Sequence, residues 1–158
     1  MDDLLHLLGY RTRKTRTSDV SIYTTGSTIA QKKVSDLKER VRIVNETENA
    51  LLLSIHQNQF SDSRYSGAQV FYAKTTGSKE LGQKLQTELV SALNPGSNRK
   101  SKPVSGVYLL ENISCTGVLI ECGFLSNPQE EARLRDEDYQ KALCCVIAAS
   151  LHQYLSNT

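Results

Sequence analysis

Two uninterrupted apolar runs constrain this chain more than any other feature. "ALLLSI" (50–55) and "GVLI" (117–120) are too short for core helices and too continuous for a strand with one wet face. Such runs suit sheet strands covered on both sides. Each runs into a polar residue able to do chemistry: His56 after the first and Glu121 after the second.

Between these runs lie helical patterns. In "IAQKKVSDLKERVRIVNETEN", Val34, Leu37, Val41 and Val44 recur at steps of three and four, giving one apolar stripe. "SKELGQKLQTELVSAL" carries Leu81, Leu85, Leu89 and Leu93 at four-residue spacing, with Ser78 as its N-cap. "NPQEEARL" opens with Asn127 as N-cap, Pro128 at the first helical position and Glu130 completing a capping box. The last helix spans about 138–155, with Tyr139, Leu143, Val146, Ile147, Ser150, Leu151 and Tyr154 facing inward. "AQVFYA" and "GVYLLEN" read as further strands, and "NPGSNRKSKPVS" as a basic loop. "MDDLLHLLG" reads as the last turns of a helix stopped by Gly9, followed by a strand and a Ser/Thr-rich loop over 17–27.

Strands alternating with helices predict an α/β fold. We expect a single domain over residues 1–158, a mostly parallel sheet and helices on both faces. Ligands of such sheets gather at the carboxyl ends of the strands, which is where His56 and Glu121 fall. His6 and His152 sit within helical patterns and read as structural.

Composition excludes several classes. A net charge of +2 with only short basic clusters does not make a nucleic-acid-binding stripe. No apolar run approaches the ~20 residues of a membrane span, and the start lacks the basic n-region of a signal peptide. Cys115, Cys122, Cys144 and Cys145 form no C-x-x-C pair. They read as four reduced thiols, with a Cys115–Cys122 bridge as the alternative.

A carboxylate closing a buried strand is costly unless paired or used, and burial raises its pKa toward the range of a general base. With a histidine closing a second strand, the chemistry suggested is that of a zinc hydrolase. His56 would hold the metal, and Glu121 would move a proton between water and a leaving amine.

"SIHQN" (54–58), "SGAQVFY" (66–72) and "VLIECGFLSNPQEEARL" (118–134) resemble the zinc-dependent N-acetylmuramoyl-L-alanine amidases of bacterial cell walls, in particular their spore-cortex, germination-specific branch. "TRTSD" (15–19) and "SDLKERVRIVN" (35–45) fit the same pattern. The resemblance implies hydrolysis of the amide between N-acetylmuramic acid and L-Ala of the stem peptide. It makes His56 a zinc ligand and Glu121 the catalytic carboxylate. Asn58 shares the His56 motif and receives no role. Peptidoglycan is the implied substrate, and the cell envelope or forespore intermembrane space the implied location.

The family's other two zinc ligands are the His of an Asp-x-Gly-His-Gly-Gly loop and a Glu near the start of helix 1. Aligned on Gly9, both fall before Met1. The expectation is therefore a domain lacking the family's first strand and most of its first helix, with zinc absent or weakly bound and the chain inactive alone. An exposed edge left by a lacking strand would favour self-association or a rearranged N-terminal segment. The alternatives are a non-catalytic binding protein of the same fold and, less well matched in ligand motifs, a zinc exopeptidase.

Overall fold

The computed structural model describes residues 1–157. Its elements run α1 (Asp2–Leu7), α2 (Ile29–Asn45), β1 (Leu51–Asn58), β2 (Gln69–Tyr72), α3 (Ser78–Leu93), β3 (Lys102–Pro103), α4 (Tyr108–Asn112), β4 (Thr116–Phe124), α5 (Pro128–Arg135) and α6 (Glu137–Leu155). The four strands form one sheet in the order β1-β4-β2-β3. β1 runs parallel to β4 and β2 parallel to β3, while β2 and β4 are antiparallel. The sheet is thus mixed, with parallel pairing in two of its three ladders.

Helices cover both faces, as expected. On one face Val70, Val118 and Ile120 pack against Leu81, Leu85 and Leu89 of α3 and Leu143, Ile147 and Leu151 of α6, with Leu5 of α1 and Leu134 of α5. On the other, Leu119, Leu52 and Phe71 meet Val44 of α2 and Leu109 and Leu110 of α4. Successive strand residues alternate between faces, so the second face also receives His56, Glu121 and Gln69.

Several local expectations are corrected. "GVYLLEN" is not a strand: residues 108–112 form α4, burying the adjacent Leu109 and Leu110. No strand follows Gly9, because residues 10–28 meet no partner strand. Within the basic loop, Lys102–Pro103 adds a short edge strand. β1 packs on both faces, with Leu51 and Leu53 on one and Leu52 on the other, but these stay only partly buried. It lies at a sheet edge and pairs only with β4, leaving Ile55 47% exposed. The α2 stripe is buried at Val44, whereas Val34 is exposed and Ser35 is buried instead. Ser35 Oγ accepts the Thr24 and Thr25 amides, which straps the 17–27 loop to α2.

Helix ends follow local chemistry. Gly9 closes α1 at φ 86°, with Tyr10 N donating to Leu5 O and Gly9 N to His6 O, the paired bonds of a Schellman motif. Ser78 is the first helical residue of α3 rather than its cap, which is Gly77. Ser78 is fully buried and its Oγ accepts the Gly117 amide. All four cysteines are free, and no helix of the described residues is long and apolar enough to cross a membrane.

Candidate functional site

The parallel ladder between β1 and β4 places His56 opposite Glu121. Across the antiparallel ladder, Glu121 stands opposite Gln69. Neighbouring strands lie about 4.8 Å apart, so the three side chains form one row across the sheet near the carboxyl ends of β1 and β4. Sequence reasoning named two members of this row. Gln69, within "SGAQVFY", has no local signal for a role, although a Gln inside an apolar strand must find buried partners.

Gln69 finds them. Its Nε2 donates to Lys100 O at 2.7 Å and Gln86 Oε1 at 3.1 Å, and its Oε1 accepts from Arg99 Nη1 at 3.3 Å. Its amide is fully engaged, so it leaves Glu121 unassisted. Glu121 Oε2 is buried with no hydrogen-bond partner, and burial pushes the Glu121 carboxyl above its ordinary value. Such an orphaned buried acceptor in a structure that satisfies most of its polar groups points to function.

His56 is held by Ser54, two residues back on the same face, through a 3.1 Å contact between Nε2 and Ser54 Oγ. Burial lowers its pKa, and the Arg40 guanidinium of α2 lowers it further. Arg40 is fixed by Asp36 at 2.6 Å and by Thr15 Oγ1 at 3.0 Å. The imidazole is thereby kept neutral, the form that binds metal. Asn58 contributes its carbonyl, which accepts Leu125 N at 2.7 Å.

The end of β4 is shaped by a residue that the sequence reading assigned to a helix cap. A register shift puts Asn58 opposite Phe124 rather than Gly123. Glu130, buried on α5, reaches back to this bulge instead of capping its own helix. Its Oε2 accepts Gly67 N at 2.9 Å and Phe124 N at 3.0 Å. Asn127 alone caps α5, accepting the Gln129 and Glu130 amides. A Cβ at position 123 would lie 3.1 Å from that Glu130 oxygen, so Gly123 leaves room for the carboxylate. Glu130 thus ties the 59–68 loop to the strand that carries Glu121.

The other histidines stand apart. His6 bonds Thr12 Oγ1 at 2.9 Å and His152 bonds Tyr10 OH at 2.8 Å, both on helices of the opposite face. Cys122, beside Glu121, is an inert thiol pushed up to about 12 by burial and then by the Glu121 charge. A groove of about 690 Å³ runs between the 24–26 loop and α2 and does not include His56 or Glu121. The partnerless carboxylate and the strand register mark the site better than concavity does.

Zinc needs about three protein ligands in a catalytic site. Among the described residues no three or more His, Cys, Asp or Glu side chains are grouped to hold a metal ion. His56 is one imidazole opposite one carboxylate, Glu121. These residues do not by themselves fit a zinc ion.

Known proteins resemble this chain in sequence and fold. The germination-specific N-acetylmuramoyl-L-alanine amidase of Bacillus subtilis is 35% identical over 156 residues, 98% of this chain and 65% of that protein. The chain thus spans about two thirds of that relative's length. The solved CwlD amidase of Clostridioides difficile, determined in complex with the GerS lipoprotein, superposes with a TM-score of 0.94 at 38% identity. That match covers 99% of this chain and 81% of that one. The catalytic domain of CwlV from Bacillus (Paenibacillus) polymyxa shares the fold, with a TM-score of 0.79 at 24% identity over 98% of this chain and 78% of that one. The profile of one family matches residues 1–153, and by that match the chain belongs to the N-acetylmuramoyl-L-alanine amidase family.

Proposed function

We propose that this chain carries the catalytic carboxylate and one metal ligand of a peptidoglycan amidase that cleaves the bond between N-acetylmuramic acid and L-Ala. The observation that carries the reading is the His56–Glu121 pair, in register at the carboxyl end of two core strands, with Glu121 Oε2 buried and unpartnered. Hydrolysis adds water across the amide. Glu121 takes the proton of the attacking water as the lactyl carbonyl is attacked, then passes it to the departing L-Ala nitrogen. The products are a lactyl carboxylate and a free α-amine. A carboxyl with raised pKa suits both transfers.

His56 is the zinc ligand of this reading. One imidazole cannot complete the ion's coordination, so the remaining ligands come from outside the described residues, and these residues alone do not hydrolyse the substrate. The similarity to a germination-specific relative supports spore-cortex peptidoglycan as the substrate and the forespore intermembrane space as the location. The free edge of β1, with Ile55 exposed, supports pairing with a second copy. A second reading, a glycan- or partner-binding protein without hydrolysis, is favoured by the single available ligand.

The test measures zinc content and release of stem peptide from purified muropeptides. It uses the chain alone and the chain fused to the part of the germination-specific relative that the match leaves uncovered. The amidase reading expects bound zinc and cleavage in the fusion, both weakened by His56→Ala. A fusion that binds muropeptide but never cleaves it supports the second reading.

A further inference from the structure

Two aromatic rings beside this site are not spent on the core. Phe60 is 50% exposed and Tyr65 46% exposed, and they stand edge to face with centroids 4.9 Å apart. Behind them Phe124 is buried, its ring 6.1 Å from that of Tyr65. The Arg99 guanidinium lies 4.9 Å over the Phe124 ring and 5.9 Å from that of Tyr65.

The loop that presents the rings is fixed at several points. Phe60 N donates to Ser126 Oγ, Arg99 Nε to Ser66 O, and Gly67 N to Glu130. Ala68 N donates to Asn94 Oδ1. Anchoring of this kind holds the two half-exposed rings in one geometry, which suits a preorganised contact surface. Their position is also specific. Phe60 follows His56 by four residues, and Arg99 donates to Gln69, the cross-strand neighbour of Glu121.

We propose that Phe60 and Tyr65 form a saccharide shelf on which an N-acetylated hexosamine ring of the substrate glycan stacks, holding the strand beside Glu121. This rests on the peptidoglycan reading above. The apolar face of a pyranose ring matches an aromatic face in size, and Tyr adds a polar rim. With each ring about half exposed, the shelf offers roughly 200 Å². A stable protein partner needs about 800 Å² per side, so one sugar ring fits and a second copy of the chain does not. Between the two rings in the chain, Arg64 and Asp62 pair at 2.7 Å, and such polar groups beside an aromatic face suit a hydroxyl-rich ligand.

The experiment titrates the intact chain with peptide-free oligosaccharide of alternating N-acetylglucosamine and N-acetylmuramic acid, observing the Tyr and Phe ring signals by NMR. Tyr65→Ala and Phe60→Ala should each weaken binding about tenfold, while Tyr65→Phe keeps most of it. Circular dichroism confirms that each variant is folded. Equal binding by wild type and both alanine variants overturns the shelf, as does wild type binding only free stem peptide or no saccharide at all. The fused protein separates this from the wider reading. Muropeptide cleavage together with saccharide binding that ignores Tyr65 removes only the shelf. Tyr65-dependent saccharide binding without any cleavage keeps the shelf and removes the amidase.

Discussion

Replacing Glu121 with Gln should make the protein more stable at neutral pH while removing the general base proposed above. Glu121 Oε2 is buried and unpartnered, and burial raises its pKa above the ordinary 4.5. The folded state therefore holds this proton more tightly than the unfolded state does. Between the unfolded and folded pKa values the native state binds more protons, so wild-type stability falls as pH rises through that window. Gln has the same shape and no charge to desolvate. An unsatisfied buried polar group costs about 1–3 kcal/mol. The carboxyl is only part-buried and Gln remains polar, so the low end applies, about 1 kcal/mol. For a domain of this size that is roughly 2–4 °C in Tm. The assay is urea unfolding of both proteins from pH 4 to pH 8. The difference should be near zero below about pH 4.5 and grow to its full value above the folded pKa. His56 titrates in both proteins and so largely cancels from the difference. A variant that is no more stable at pH 8, or a difference independent of pH, would refute the claim that Glu121 is held without a partner.

Glu130→Ala should cost about 2–5 kcal/mol, because it strands two buried amides, Gly67 and Phe124. Glu130→Gln should cost far less, since one oxygen accepts both bonds; thermal melts of the pair decide this. Arg40→Gln should raise the His56 pKa, since burial and then the Arg40 charge hold it down. An NMR titration of the His56 ring that shows no upward move would remove Arg40 from the site. In wild type the lowered His56 pKa means that stability from this group is lost as pH falls below the ordinary 6.5.

Much of this was legible in the chain because a buried strand is a local pattern. "GVLI" is apolar without interruption and lies in the interior strand β4, which delivers Glu121 where the reading put it. "LLLSIHQN" also forms a strand and brings His56 beside Glu121. An exposed edge was expected from the resemblance, but a local pattern cannot show which strand borders it, and only the sheet order places that edge at β1. "GVYLLEN" misled because a five-residue helix is too short to display a 3.6-residue period. Glu130 misled because a capping box and a tertiary clamp share one spacing, and only the bulge at Gly123 selects the clamp. The tertiary parts of the site, Gln69 with Arg99 and Arg40 with His56, join residues distant in sequence and carry no local signature.

The most direct test of the central claim is mass spectrometry of muropeptides digested by the fused, zinc-loaded protein and by its Glu121→Gln variant. The account predicts a stem peptide with a free L-Ala amine and a glycan bearing the lactyl carboxylate, both lost in the variant. Cleavage at a glycosidic or peptide bond instead, or undiminished hydrolysis by Glu121→Gln, would contradict it.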